Sequence, residues 1–366
     1  MNIKNKIKII VTGGGTAGHV MPALAVIDEL KNRDCEICYI GSKKGIEAEL
    51  IPASGTKFKS IMAGKLRRYW SWQNLIDPFK TFWGFWQALF IILRFKPKVI
   101  FSKGGYVSLP VILASWLTRK PIILHESDIA LGLANRFALK FAKRLAVSFP
   151  VENYPDVPAK KIIYTGTPLR KIVFEGNKQK GGNFFQLKDN LQTLLISGGS
   201  QGARNINDRV LEILPQLLKK LQIIHITGNL DFQKFKSYKE ELPTDIKNNY
   251  KVYNFLKDEL VDAYACADLI ISRAGANMIF EIAAQKKPVI LIPLAGHQEK
   301  NAQFLDRHKT AYVINNENLT SEKLLSGINY ILVNSQESQL MAKRLNQFVI
   351  TDGTSIIASE IIKLAK

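Results

Sequence analysis

Four segments of the chain place glycine, imidazole, carboxylate and amide groups at spacings that suit chemistry on phosphates and sugars. The first is IIVTGGGTAGHVMPALAV, residues 9–26. Gly13, Gly15 and Gly18 satisfy G-x-G-x-x-G between an apolar β-like run and an apolar run at helical spacing. Such glycines permit a tight turn and close backbone approach, and the following helix N-terminus offers N–H groups and positive dipole to an anion. His19 stands at the end of the turn, where an imidazole can move a proton beside a bound anion. A dinucleotide would also ask for an acid near the end of the second strand, yet YIGSKKG supplies Gly41, Ser42 and two lysines. NAD is therefore disfavoured.

The second segment, ISGGSQGARNIN, repeats the offer: Ser200 and the backbone of Gly198 to Gly202 could donate to a diphosphate ahead of a helix start. For either turn alone, close strand-to-helix packing is the competing explanation. In the third, SRAGANMIFEIAAQKKPVILIPLAGHQEKNAQ, Gly275 breaks the chain after a strand, and Glu281 lies one and a half turns into the next helix. A carboxylate there can accept both hydroxyls of a ribose or simply face solvent. The amide-rich loop of Pro293 to Gln303 suits sugar hydroxyls, with His297 as well suited to a structural role. The fourth joins FSKGGYVSLP to ILHESDIALGLANR, both at the carboxyl ends of strands, where open α/β sheets gather ligands. His125, Glu126 and Asp128 are candidates for acid/base work or acceptor binding, against a structural role for the histidine.

Strands must position these groups. Continuous apolar runs alternate with amphipathic stretches: IKIIV, ICYIG, KVIFS, PIILHE and RLAVS, then TLLIS, QIIHIT, YKVYNF, LIISR and PVILIP. That rhythm predicts buried parallel strands with crossover helices, hence two Rossmann-like, doubly wound α/β domains facing a cleft. The expected divisions are 1–165 and 166–352, with a final helix, about 353–366, free to pack back on the first domain.

The chain has 366 residues, of which 46% are hydrophobic and 22% charged, a composition that excludes disorder and fibre. Of the net charge of +20, residues 1–164 carry +14 (25 Lys and Arg against 11 Asp and Glu), so the first half faces something anionic. Three cysteines make no disulfide framework and fit a reducing compartment, with Cys35 and Cys38 read as core residues. The N-terminal apolar run is too brief for a signal peptide. Between Lys57 and Lys103 there are ten Lys or Arg and one acid, Asp77, interleaved with aromatic rings. The uncharged core from Thr81 to Leu93 is thirteen residues, short of the roughly 20 needed to span a bilayer. Rings flanked by cations suit an anionic membrane surface, although about half of the stripe is expected to be helix core. Leu75, Phe79, Phe82, Phe85 and Trp116 are the expected exposed patch.

In order along the chain, GGGTAGHVMPALAV, GGYVSLP, HESDIALGLANR, GTPLR, GGSQGARNIN, SRAGANMIFEIAA and the HQEKNA loop resemble the MurG family of peripheral membrane glycosyltransferases. Seven ordered motifs are far more specific than one. The resemblance implies a GT-B fold and transfer of N-acetylglucosamine from UDP-GlcNAc to lipid-linked muramyl-pentapeptide (lipid I to lipid II) in peptidoglycan synthesis. It implies donor contacts from Arg170 and Ser200 to the diphosphate, from the turn ending at Leu256 to uracil, and from Glu281 to the ribose. Ala276, Asn277, Met278, Ile279 and Phe280 would line the nucleotide and Gln298 would hold the sugar, with Thr16, Ala17, Gly18 and Asp128 also reaching the donor. Gly15, Gly104, Gly105, Tyr106, His125 and Asn135 fall at acceptor positions. The chain departs from the common pattern in GGGTAGH for GGTGGH, GTPLR for GNPVR, and HESD for HEQN, which puts Asp128 where a neutral amide usually sits.

A single displacement with inversion fits both readings, because the acceptor C4 hydroxyl needs a base while departing UDP is held by N–H donors. His19 is the first candidate for that base and Glu126 the second. No metal and no cofactor are expected, UDP-GlcNAc being a substrate. The expected place is the cytoplasmic face of the cell membrane, with lipid I, anionic lipid and other cell-wall synthesis proteins as partners and no nucleic acid. A UDP-GlcNAc 2-epimerase-like enzyme, which needs no aromatic patch, or another GT-B glycosyltransferase is the nearest rival; an anion or nucleic-acid binder, favoured by charge alone, is the other.

Overall fold

The computed structural model describes residues 6–64, 73–199 and 202–366, apart from the side chains of residues 73–75. It divides into two units, residues 1–170 with 350–366, and residues 171–349.

Among the described residues the first unit holds β1 (Ile7–Thr12), β2 (Cys35–Ser42), β3 (Lys57–Ile61), β4 (Val99–Ser102), β5 (Ile122–Glu126), β6 (Arg144–Val147) and β7 (Ile162–Tyr164). They form one parallel sheet in the order β3-β2-β1-β4-β5-β6-β7. The apolar runs lack alternation because both faces are covered, and β4 and β5 are buried at every position. Helix α1 (Ala17–Lys31) lays Val20, Ala23, Leu24, Ile27 and Leu30 against β1 and β2, the i, i+3, i+4, i+7 spacing of one helical face. Short α2 (Glu47–Ala53) follows β2, long α3 (Gln73–Phe95) precedes β4, and α4 (Ser108–Leu117) and α5 (Leu133–Ala138) follow β4 and β5. The C-terminal helix, Gly353–Ala365, belongs to this unit: Ile357, Ala358 and Ile361 join the core of β1 and α1, and Arg33 donates to Ser355 Oγ at 2.6 Å and Ser359 Oγ at 2.7 Å. Cys35 and Cys38 are buried as free thiols on β2.

Helix α3 has two apolar faces. Gly84, Ala88, Ile92 and Phe95 turn inward, and Gly84 is tight because a Cβ there would stand 1.8 Å from Met62 O. Ile76, Phe79, Phe82, Trp83, Trp86, Phe90 and Leu93 turn outward, with Phe79 68% exposed. Trp116 and Leu117 on α4, which packs against α3, are exposed as well. Phe85 is half-buried, and the side chain of Leu75 lies outside the described residues. Trp83, Trp86 and Phe90 enlarge the expected patch. Among the described residues no helix is long and apolar enough to cross a membrane.

The second unit contains β8 (Gln192–Ser197), β9 (Leu221–Ile226), β10 (Tyr250–Tyr253), β11 (Leu269–Ser272), β12 (Val289–Leu291) and β13 (Tyr312–Val313), parallel in the order β10-β9-β8-β11-β12-β13. Ile206, Val210, Ile213, Leu214 and Leu217 of helix Arg204–Leu218 supply its largest helical contribution to the core. In each unit the strand order reverses beside the first strand, between β1 and β4 and between β8 and β11. Ligands of doubly wound sheets bind at the carboxyl ends of such strands.

Candidate active site

At the first reversal the turn after β1 and the turn after β4 interlock. A Cβ on Gly105 would stand 2.5 Å from Gly14 O, one on Gly13 3.0 Å from Lys103 Cβ, and one on Gly15 2.8 Å from the Tyr106 ring. Gly15, Gly104 and Gly105 have φ of +91°, +86° and +81°, so backbone conformation as well as space requires glycine. The Gly15 N–H points inward, to the buried Glu47 carboxylate at 3.1 Å.

Thr16 is the N-cap of α1, with Ala17 and Gly18 opening the helix. A threonine in that place ordinarily accepts a backbone N–H. Here its Oγ1 instead lies 2.9 Å from His19 Nδ1. The half-buried His19 ring is pushed down to a pKa of about 3, chiefly by burial and then by the charge of Lys103, so it is neutral at physiological pH.

Glu126 ends β5, and its carboxylate is committed to the loop that follows. Oε1 accepts the Asp128 N–H at 3.2 Å, and Oε2 accepts Gly132 N–H at 2.9 Å and Asn135 Nδ2 at 3.0 Å. Burial raises its pKa, Asp128 adds to the rise, and Lys103, Gly132 and Asn135 oppose it. The half-buried Asp128 lends its carbonyl to Tyr154 OH at 2.9 Å. His125 is wholly buried, its Nε2 3.2 Å from Gly166 O; burial, then Lys103, hold it well below the usual imidazole range. It ties β5 to the segment after β7 rather than facing solvent. Asn135 donates to His125 O at 3.0 Å, while Asn135 Oδ1 and His125 Nδ1 are buried without a partner.

Lys103 was missed by reasoning on the sequence. It is 2% exposed, donates to Ser127 Oγ at 2.7 Å, and has its pKa lowered to about 8 by burial, against the opposing charges of Glu126 and Asp128. Its place between a strand and G-G-Y was the available signal. Arg170, half-buried, closes this unit, and its charge is felt by Asp28.

At the second reversal Gly199 and Gly202 have φ of +85° and +76°, and a Cβ on Gly202 would meet Thr227 O at 2.4 Å. Ser200 lies outside the described residues. After β11, Gly275 caps helix Ala276–Ala284. Ala276, Ile279 and Phe280 bury their side chains, leaving Asn277, Met278 and Glu281 half-buried. The side chains of Ile279 and Phe280 fill the core, and the Ile279 N–H donates to Gly275 O at 3.0 Å. Glu281 Oε2 accepts Tyr264 OH at 3.3 Å. Gln298 accepts Leu294 N–H at 3.0 Å through Oε1 and aims Nε2 toward Gly275, where a Cβ would be 3.9 Å away. Leu256 is buried beneath exposed Asn254 and Phe255, so that turn offers backbone and its neighbours rather than the leucine side chain. A second missed residue is Arg273, buried at the end of β11, whose Nη1 donates to Ile292 O at 3.1 Å and Asn316 Oδ1 at 2.8 Å. Burial lowers its pKa below the usual guanidinium value, and it stands as a cation held at the switch point.

Residues 9–147 match the glycosyltransferase family 28 N-terminal domain and residues 193–355 its C-terminal domain. A relative from Bacillus cereus, named UDP-N-acetylglucosamine–N-acetylmuramyl-(pentapeptide) pyrophosphoryl-undecaprenol N-acetylglucosamine transferase 2, is 42% identical over 346 residues, 93% of this chain and 95% of its own. The crystal structure of Acinetobacter baumannii MurG superposes with a TM-score of 0.77 at 27% identity, covering 98% of this chain and 99% of that one. A UDP-GlcNAc 2-epimerase from Neisseria meningitidis reaches 0.71 at 14% identity over 98% of this chain and 100% of its own, a likeness of fold alone. With both domains matched and nearly the whole length shared, the chain belongs to glycosyltransferase family 28, among the MurG transferases, and is a two-domain glycosyltransferase of the GT-B fold.

Proposed function

We propose that this protein transfers N-acetylglucosamine from UDP-GlcNAc to the C4 hydroxyl of undecaprenyl-linked muramyl-pentapeptide, with inversion at the anomeric carbon. Its relative's name supports the substrates. The observation that carries the chemistry is the Thr16–His19 pair at the interlocked turns. With Nδ1–H given to Thr16 Oγ1, His19 Nε2 is the free lone pair. It takes the C4 hydroxyl proton as the new C1–O bond forms and the bond from C1 to the UDP oxygen breaks. A pKa of about 3 makes the resting ring a weak base. The acceptor's diphosphate, arriving beside it, raises its proton affinity by charge attraction, so the base strengthens when substrate is present.

The Gly198–Gly202 turn and the start of helix Arg204–Leu218 receive the negative charge of departing UDP, with Arg170, Ser200 and Arg273 as cationic and hydroxyl help. Glu281 holds the ribose and Gln298 the sugar. Glu126 shapes the loop of Asp128 to Asn135 and serves as the alternative base. No resident cofactor takes part, the UDP-sugar being a substrate. The outward face of α3, with Trp116, brings the enzyme to the anionic cytoplasmic surface of the membrane, where its lipid acceptor resides.

The test is UDP release from UDP-GlcNAc with and without a lipid I analogue. Acceptor-dependent release is expected, and its absence would sink the transferase reading. His19→Ala should abolish turnover while UDP binding persists; surviving turnover moves the base elsewhere.

A further inference from the structure

Glu47, at the start of α2, has no exposed surface. Its carboxylate is met by donors from two other segments: Gly15 N–H reaches Oε2 at 3.1 Å, while Ser42 N–H and Oγ–H reach Oε1 at 3.0 Å and 2.6 Å. A buried carboxylate without donors is strongly unfavourable, so these three contacts are what permits the group to stand there. Three glycines make the room. A Cβ on Gly14 would lie 2.4 Å from Oε1, one on Gly45 2.2 Å from Oε2, and one on Gly41 2.7 Å from Glu47 Cγ.

A glycine turn before a helix invites an anion onto its N–H groups. In this fold an internal anion has already taken one of them. The N–H so occupied belongs to Gly15, the residue immediately before Thr16, and three residues later stands His19. Fixing the Gly15 peptide plane fixes the direction in which the chain enters α1, and with it the Thr16–His19 pair.

We propose that Glu47 is a positioning residue of the acceptor site: its buried carboxylate clamps the Gly15 N–H and so holds the Thr16–His19 pair in its working geometry. The proposal rests on the reading of His19 as the base. It also assigns the Gly15 N–H to the protein, so the acceptor's diphosphate is received by the remainder of the turn and the first turn of α1. A carboxylate suits the task because both its oxygens accept. A glutamine in its place can satisfy Ser42 through its carbonyl, but then turns an N–H₂ donor toward the Gly15 N–H donor.

The test uses the full chain carrying Glu47→Gln. Misplacing a catalytic group by about 1 Å costs on the order of 100-fold in rate, so acceptor-dependent kcat is expected to fall about 10- to 100-fold while KM for UDP-GlcNAc stays unchanged. Hydrogen exchange of the Gly15 amide is expected to accelerate. Both are measured where tryptophan fluorescence shows the variant folded, since a merely structural role would leave kcat per folded molecule unaltered. Gly45→Ala, which drives a methyl against Oε2 from the segment between β2 and α2, should give the same loss and serves if Glu47→Gln does not fold. Wild-type kcat in either folded variant overturns the proposal. Wild-type turnover in His19→Ala instead removes the base reading itself, so the two failures are told apart.

Discussion

Replacing Lys103 with methionine removes a charge that the fold holds at a cost. The ammonium is 2% exposed, and its one described hydrogen bond is to Ser127 Oγ at 2.7 Å. Burial lowers its pKa from 10.5 to about 8, although Glu126 and Asp128 pull the other way. A gap of about 2.5 pH units between unfolded and folded values corresponds to roughly 3 kcal/mol. The sign follows from proton counting. Between pH 8 and 10.5 the unfolded lysine is protonated and the folded one is not, so the free energy of unfolding rises with pH across that window. Below pH 8 both states carry the proton and the full penalty is present. Methionine carries no such penalty at any pH. The stability of Lys103→Met relative to the wild type should therefore be greatest near neutrality and fall by roughly 2–3 kcal/mol between about pH 7 and pH 10. Urea unfolding read by tryptophan fluorescence measures it, because all five tryptophans lie within residues 1–170 and report only the first unit. A difference between variant and wild type that stays flat across that range refutes the reasoning, since it would mean that Lys103 is not a desolvated cation.

Ile357→Ala should destabilise the first unit by about 2–5 kcal/mol, read by the same tryptophan transition, because the side chain is wholly buried against β1 and α1. Phe79→Ser, Trp83→Ser and Phe90→Ser together remove three exposed rings from the outer face of α3. At about 1.5–3 kcal/mol for each ring fully buried, the triple variant should lose most of its sedimentation with anionic vesicles. Raising salt should weaken the binding of the wild-type chain to the same vesicles, and salt-independent binding would remove the electrostatic part of that reading.

Much of the fold is legible in local pattern. Continuous Val, Ile and Leu runs such as VIFS and IILHE mark strands buried on both faces, and the structure buries them at every position. The two glycine turns are legible because only glycine tolerates their backbone, at Gly15 in one unit and Gly199 in the other. Within an element, by contrast, the sequence does not say which side chain faces out. Ile279 and Phe280 stand among expected nucleotide contacts and turn into the core, while Trp83, Trp86 and Phe90 were passed over and face outward. Asn277, Met278 and Glu281 keep the open side of the same helix.

By itself, then, the sequence determined the class of fold, the number of glycine turns and the kind of chemistry, since strand periodicity, turn stereochemistry and ordered motifs are properties of neighbouring residues. Only tertiary structure decided which charges are buried and what meets them. Lys103, Glu126 and the His125 ring gather at the ends of β4 and β5, and Glu47 reaches back 32 residues to the Gly15 N–H. Burial and through-space charge are set by segments distant in the chain, and they shift proton affinities by amounts no local spacing encodes.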